Sequence, residues 1–475
     1  MSDSENQSGE NQPTHDPYAY HLEYYSEDGA LRSEFVERIK LALQERDSNV
    51  LVALINPLHE SDLGEILAAI DPEARATLVE LAGNDFDFSA LTEVDETIRL
   101  EVVNALPNAK VAEALDELDS DDAVFILEDM EEEDREDILE QMPFEESVRL
   151  RRSLDYPEET AGRRMQTEFV AVPPFWTIGQ AIDYLRVAEN LPDRFHEIFV
   201  VTPQFELIGS MDLDRFLKAK RQQNISEIQN DTQHPIRADM DQEEAAQIFE
   251  KYDLLSAAVI DESNRLVGVM TIDDVVDVIH QEVEEDIKRL AGVGDEEISD
   301  SMIEAAKSRS TWLLVNLATS ILASFVIGLF DATIDEMVAL AILMPIVASM
   351  GGNAGTQTMT VAVRALATRD IDIYNAGRVI FREINIGIFN GVIFALIIGP
   401  IAALWFDNFG LGIIISTAMV INMISAAAAG IFIPLLLDRL DIDPAIASSV
   451  FVTTVTDIVG FAAFLGLAAW WLGFA

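Results

Sequence analysis

Asp457 is a lone carboxylate inside the apolar run Val452-Thr453-Thr454-Val455-Thr456-Asp457-Ile458-Val459-Gly460, which contains no Lys or Arg. An ionisable group at membrane depth is costly to bury and marks a site by default. The hydroxyls beside it could hydrogen-bond the carboxylate or a hydrated ion, and the bland alternative is a neutral Asp bonded to a neighbouring helix. A second polar stretch follows Pro345: Met350-Gly351-Gly352-Asn353-Ala354-Gly355-Thr356-Gln357. Such a stretch can unwind and present carbonyls where it lines water or protein. Close helix packing through small residues explains the glycines equally well, while Asn353 and Gln357 favour the first reading. Elsewhere the available chemistry is carboxylate, since Val111 to Ser147 holds seventeen Asp+Glu and one Arg. That run is either a solvated acidic face or a set of half-sites for a divalent cation. The six His, at 15, 21, 59, 196, 234 and 280, show no ligand spacing, and Cys is absent. With no phosphate loop, HExxH or nucleophile elbow, the sequence offers no enzymatic site.

Over the whole chain, 31 Lys+Arg against 84 Asp+Glu give a formal charge of -53. No continuous basic face for nucleic acid can be built from that balance. Residues 311–475 hold 5 Lys+Arg and 11 Asp+Glu, leaving 26 and 73 in residues 1–310. This back part breaks into five apolar runs near or above the ~20 residues that cross a hydrocarbon core: about Trp312 to Phe330, Met337 to Val363, Ile384 to Phe406, Leu411 to Leu437 and Ala445 to Phe474. Lys307, Arg309, Arg364, Arg369, Arg378, Arg382 and Arg439 all fall on one side of these runs, which puts the N-terminal part in the cytoplasm and the C-terminus outside. The opening residues are polar and acidic with no apolar core, so no cleaved secretory signal is expected.

The front part reads as three pieces. Residues 1–28 are too poor in apolar residues to fold and are expected to be a disordered acidic tail. Residues 29–156 carry short amphipathic helical patterns broken every 15 to 20 residues, which fits stacked helical hairpins in a small superhelix. Then comes an internal repeat: Phe199-Val200-Val201-Thr202-Pro203-Gln204-Phe205-Glu206-Leu207-Ile208-Gly209 matches Ala258-Val259-Ile260-Asp261-Glu262-Ser263-Asn264-Arg265-Leu266-Val267-Gly268 at an offset of about 59. Each copy reads as a β-run, a turn, a second β-run ending in Gly and an Asp-opened helix. The pair resembles a tandem of cystathionine-β-synthase-type (CBS) regulatory modules, at 157–222 and 223–282. An acidic, helically patterned connector follows, with Glu282, Glu284, Glu285, Asp286, Asp295, Glu296, Glu297, Asp300 and Glu304. It is a lever or plug over 283–309, or a plain link, before a membrane domain at 310–475.

In this order the parts resemble the MgtE family of magnesium channels, over nearly the whole chain from about residue 33. The specific signatures are Gly351-Gly352-Asn353-Ala354-Gly355-Thr356-Gln357, Arg364-Ala365-Leu366-Ala367-Thr368-Arg369-Asp370, and Asp443-Pro444-Ala445 leading to Thr454-Val455-Thr456-Asp457. The resemblance implies a five-helix polytopic membrane domain joined to an α-superhelical N-domain and α/β tandem CBS domains. It implies a homodimer in the lipid of the cell's inner membrane that takes up Mg²⁺, with Asp457, Asn353, Gln357, Thr454 and Gly352 in a pore lined by the second and fifth spans. It also implies regulatory Mg²⁺ at Asp121, Asp241, Glu243, Asp253, Asp274, Asp277, Glu282, Glu285 and Asp286, closing the pore as cytosolic Mg²⁺ rises. An acid expected one turn after Asp121 is replaced by Phe125. Adenine nucleotide at the CBS modules is left open, as are a Mg²⁺ or Co²⁺ exchanger coupled to Na⁺ or H⁺ and a non-transporting magnesium sensor; the latter would need no intramembrane Asp.

Overall fold

The computed structural model describes every residue except 1–23, 27–30, 189–190, 193, 231–233, 294–301, 369–370, 372–374, 441 and 474–475. Most of the acidic tail, the connector acids Asp295, Glu296, Glu297 and Asp300, and Arg369 and Asp370 therefore lie outside the described residues. The chain forms two units, Met1–Ile279 and His280–Ala475.

The first unit opens with helices of 8 to 13 residues between Ser33–Glu45 and Phe144–Leu154. Their short length is written locally. Asp47 caps one helix by accepting from the Val50 N–H at 3.2 Å, and His59 with Asp62 forms a capping box. Pro72 opens a helix and Pro107 and Pro143 stand just before two others, positions where a missing N–H costs nothing. The apolar stripes meet in one core that includes Leu51, Ile66, Leu67, Leu78, Ile126 and Leu127. Two buried arginines repeat one device: Arg75 Nε donates to the Leu67 carbonyl at 2.9 Å, and Arg99 Nη1 to the Leu91 carbonyl at 3.3 Å. Each cation satisfies carbonyls at the end of an earlier helical segment, where the peptide dipoles favour positive charge.

Two three-stranded sheets follow. Strands β1 (Ala171–Val172), β2 (Glu197–Val201) and β3 (Leu207–Asp212) lie in that order, as do β4 (Ile236–Arg237), β5 (Ser256–Ile260) and β6 (Leu266–Thr271). In both sheets the first pair is parallel and the second antiparallel. Val200 pairs with Gly209 and Val259 with Gly268, so the repeat holds its offset of 59 in register as well as in sequence. The sequence pattern ended the second strand of each copy at its glycine, but the strand runs on to Asp212 and to Thr271. At the turns Phe205 and Asn264 take left-handed φ values of 64° and 58°. They form a reciprocal pair: the Leu207 N–H donates to the Asn264 carbonyl at 3.0 Å and the Leu266 N–H to the Phe205 carbonyl at 2.9 Å. Phe199, Val201, Ala258, Leu266 and Val269 pack together beside this joint.

A helix from Ile272 to Ala291 leaves β6 and runs into the second unit. There five helices are long and apolar enough to cross a membrane: Met302–Gly328, Ala339–Ala367, Ala376–Trp405, Phe409–Asp438 and Pro444–Leu472, the first to fifth spans. At 1.5 Å per residue these lengths exceed the ~30 Å hydrocarbon core. The fourth span is the central one, packed against the second, third and fifth. Gly387, Gly391 and Gly399 give the third span a small-residue stripe that meets Met423, Val420 and Ser416 of the fourth, the close backbone approach that membrane helices use in place of a hydrophobic driving force. Large apolar side chains such as Leu314, Leu317, Ile321, Phe325, Phe389, Leu396 and Leu404 point outward and are exposed. On a chain in water that surface would be a liability; in lipid it is the expected exterior.

Candidate ion path and cytosolic acid clusters

The second span is one continuous α-helix through Gly351–Gln357, so the unwound segment that the glycines allowed is not formed. Two of its three glycines serve packing instead. A Cβ on Gly351 would lie 2.1 Å from Asn422 Nδ2, and one on Gly355 would lie 2.6 Å from Val452 Cγ1 and 3.4 Å from Thr456 Cγ2. Gly352 faces open space. With these contacts on one side of the helix, Ser349, Asn353, Thr356, Gln357 and Thr360 are exposed on another, a polar stripe on an otherwise apolar span.

The fifth span repeats this division. Val452, Thr456 and Gly460 are buried, while Thr453 is exposed and Thr454 and Asp457 are partly exposed. Gly460 meets Asn422 just as Gly351 does, and Thr456 meets Gly355. The two helices therefore run antiparallel, and Asn353, between Gly351 and Gly355, is level with Asp457, between Thr456 and Gly460. Among the described residues, the neighbouring hydroxyls that could bond the Asp457 carboxylate donate elsewhere. Thr453 donates to the Ser449 carbonyl at 2.9 Å, Thr454 to the Val450 carbonyl at 2.6 Å and Thr456 to the Thr453 carbonyl at 2.9 Å. Thr360 likewise donates to the Thr356 carbonyl at 2.9 Å. A threonine whose only proton is spent on its own helix has lone pairs left to offer. The stripe is thus rich in acceptors, as suits the water shell of a cation.

Acids also meet in the first unit. The Ser120–Glu128 helix brings Asp121 and Asp122, with Asp119 at its N-cap, against Asp273 and Asp274 at the start of the Ile272–Ala291 helix. Burial, then the charges of Asp274, Asp122 and Asp119, push Asp121 well above the usual carboxylate range, and its Oδ1 is buried without a hydrogen-bond partner. Burial and Asp274 push Asp122 up to about 7. Burial pushes Asp274 up to about 6, against the Thr271 hydroxyl that donates to it at 2.6 Å. Glu93 is raised by burial, then by Asp277 and Glu60. Glu93 and Glu60 were missed from the sequence; an acid with no cation three or four residues away was the only signal, and this chain has many such acids. Carboxylates crowded this way lack positive charge, and a hydrated divalent cation is a chemically apt supplier. Among the described residues no three His, Asp or Glu converge in metal-holding geometry.

Asp241 caps the Gln242–Tyr252 helix, accepting from the Glu243 and Glu244 N–H groups at 2.9 and 3.3 Å, and Asp253 ends it in a left-handed conformation. In the second unit Glu282, Glu285 and Asp286 are partly buried on the connecting helix. Arg289 bonds Asp443 at 2.6 Å and pairs with Glu285. Asp286 is raised by burial and then Asp443, with Arg364 opposing.

Phe125 has its own surroundings. Arg99 and Arg164 stack over its ring at 4.2 and 5.1 Å, and Arg164 also pairs with Glu128 at 3.0 Å and donates to Gln242 at 3.1 Å. Where the resemblance placed an acid, this chain has fixed cations. Nearby, Ser120 Oγ donates to Glu168 at 2.8 Å and the Thr167 N–H to Ser120 Oγ at 2.7 Å. These bonds join the helical segment to the start of the CBS modules.

The family profile described as divalent cation transporter matches residues 344–467, the intracellular N-domain profile of MgtE matches 58–159, and the CBS profile matches 225–281. A magnesium transporter MgtE of Bacillus subtilis is 29% identical over 436 residues, 92% of this chain and 97% of the relative. One from Enterococcus faecalis is 33% identical over 320 residues, 67% of this chain and 71% of the relative. The solved cytosolic domain of the Mg²⁺ channel MgtE in complex with ATP is 28% identical with a TM-score of 0.48, covering 51% of this chain and 99% of that one. With both membrane and cytosolic profiles present in the order the sequence suggested, the chain belongs to the MgtE family of magnesium transporters.

Proposed function

We propose that this multi-pass membrane protein is a Mg²⁺ channel that takes up magnesium and is closed by cytosolic Mg²⁺. The observation that carries the reading is the pair of level polar faces on helices that are otherwise apolar: Asn353 with Gln357, exposed on the second span, and Thr454 with Asp457, partly exposed on the fifth. Such a face is costly against lipid, so a second copy of the chain covers it, and two Asp457 carboxylates face one aqueous axis. Mg²⁺ sheds water reluctantly. A site of one carboxylate per protomer with surrounding acceptors therefore holds the hydrated ion firmly enough to select it and loosely enough to release it. The open space beside Gly352 leaves room next to Asn353 for that water shell.

The arrangement of cations around the spans supports a cytoplasmic N-terminal part and an external C-terminus. In this reading Asp121, Asp274 and Asp277, with Glu93, hold Mg²⁺ where the helical segment meets the CBS pair. Asp241, Glu243 and Asp253 hold it on the second module, and Glu282, Glu285 and Asp286 on the connecting helix. Mutual repulsion of these acids, screened over ~8 Å at physiological salt, opposes the compact arrangement, and bound Mg²⁺ favours it. Regulation follows because the ion binds the closed state better than the open one.

Patch recording of the purified protein in liposomes tests the proposal, with Mg²⁺ as charge carrier and cytosolic-face Mg²⁺ stepped upward. The expected result is single-channel current that closes as internal Mg²⁺ rises, with Asp457→Asn losing at least ~100-fold of the flux while remaining folded. Flux that requires a Na⁺ or H⁺ gradient would replace the channel with an exchanger, and full flux through folded Asp457→Asn would remove the ion path from these helices.

A further inference from the structure

Asn422 sits in the fourth span where the second and fifth spans cross it, fully buried. Its Nδ2 donates to the Val347 carbonyl of the second span at 2.8 Å, and its Oδ1 is buried with no partner among the described residues. Both neighbouring helices yield space to the amide. An ideal Cβ on Gly351 would lie 2.1 Å from Nδ2 and one on Gly460 would lie 2.8 Å from it, so neither position tolerates alanine while Asn422 stands there. A half-satisfied amide deep in an apolar bundle is disfavoured by desolvation. If filling space were its only role, an apolar side chain with two ordinary helix residues opposite would do better. The polar group is instead wedged between the two helices that carry the level pair Asn353 and Asp457, one turn from Asp457 along the fifth span.

We infer that Asn422 is a positioning residue for ion selection. By bonding the second span and filling the notch between Gly351 and Gly460, it fixes the axial and rotational register of the second span against the fifth. It thereby sets how far the Asn353 amide and the Asp457 carboxylate stand from a passing hydrated ion. Discrimination between Mg²⁺ and divalent ions that give up water more easily depends on that spacing, because a path that accepts an intact water shell need not strip it. The inference rests on the reading that Asp457 lines the ion path.

The test uses the full-length protein in proteoliposomes, measuring Mg²⁺ and Co²⁺ uptake and thermal stability for wild type, Asn422→Ala, the double variant Asn422→Ala with Gly351→Ala, and Asp457→Asn. Asn422→Ala empties the notch, and the double variant refills part of it with a methyl group while leaving the amide absent. The expected result is a several-fold rise in apparent KM for Mg²⁺ and a 3- to 10-fold loss of Mg²⁺ over Co²⁺ preference in Asn422→Ala. The double variant should recover thermal stability yet keep the altered KM and preference. Return of both to wild-type values in the double variant would reduce Asn422 to packing and overturn the inference, as would an unchanged KM and preference in folded Asn422→Ala. Unchanged uptake by Asp457→Asn overturns the underlying reading as well, whereas the first two results overturn this inference alone.

Discussion

Asp274→Asn separates the charge of the acid cluster from its shape. Asparagine keeps an oxygen for the Thr271 hydroxyl, which donates to Asp274 at 2.6 Å, and so preserves the local bond at the start of the Ile272–Ala291 helix. What it removes is a carboxylate raised from 3.8 to about 6. At 1.36 kcal/mol per unit, a rise of about two units opposes the folded, docked state by at most about 3 kcal/mol above pH 6. The sign follows from the direction of the shift. A folded-state value above the unfolded one leaves stability intact below pH ~4 and removes it as pH rises through about 6. In EDTA the variant should therefore match wild type at pH 4 and exceed it at pH 8. For a unit of this size each kcal/mol moves Tm by about 2 °C, so the gain at pH 8 is up to ~6 °C, less whatever Asp121 and Asp122 recover by sharing a proton. Mg²⁺ at a hundred times its Kd should raise wild type by about 2.7 kcal/mol through binding to the folded state, and raise the variant much less. Scanning fluorimetry of the detergent-solubilised chain at pH 4, 6 and 8, with EDTA or Mg²⁺, reads all of this. A variant equally destabilised at every pH, or stabilised by Mg²⁺ as much as wild type, would refute the idea that acid repulsion opposes docking and Mg²⁺ relieves it.

Arg164→Ala leaves Glu128, whose side chain is 12% exposed, with the 3.7 Å approach of Arg163 as its remaining ion pair among the described residues. Losing one partner of a buried pair costs about 3 kcal/mol, and hydrogen exchange in the Ser120–Glu128 helix should accelerate equally with and without Mg²⁺; a difference that vanishes in Mg²⁺ would mean that the cation, not the arginine, holds this contact. Gly430→Ala places a Cβ 2.8 Å from both the Gly355 carbonyl oxygen and Thr358 Cβ. Since one contact is backbone, the second and fourth spans must separate, and a loss of stability of at least ~2 kcal/mol by thermal denaturation is expected; a neutral result would show that this seam is loose.

The sequence by itself determined the parts and their order. Membrane spans follow from uninterrupted apolar runs, whose length is set by the hydrocarbon core and whose signal survives without any tertiary context. The CBS pair was legible because a duplicated unit repeats its turn residues, Phe205 with Asn264 and Gly209 with Gly268, at one offset. Asp457 stood out in the sequence because a lone carboxylate in such a run is costly to bury, and the structure leaves it partly exposed on the fifth span. The tertiary structure decided what side chains do across helices. Glycines in a span are compatible with unwinding or with close approach, and only the neighbours of Gly351 and Gly355, Asn422 and Val452, show that these two pack. Thr454 beside Asp457 reads as a carboxylate donor until its proton is found on the Val450 carbonyl. Glu93 gained its meaning from Asp277, 184 positions away, and Asn422 from two glycines on two other helices. Local pattern records which residues share a face of one element; which faces meet is settled by packing between elements distant in sequence, and the joint of three spans at Asn422 exists only there.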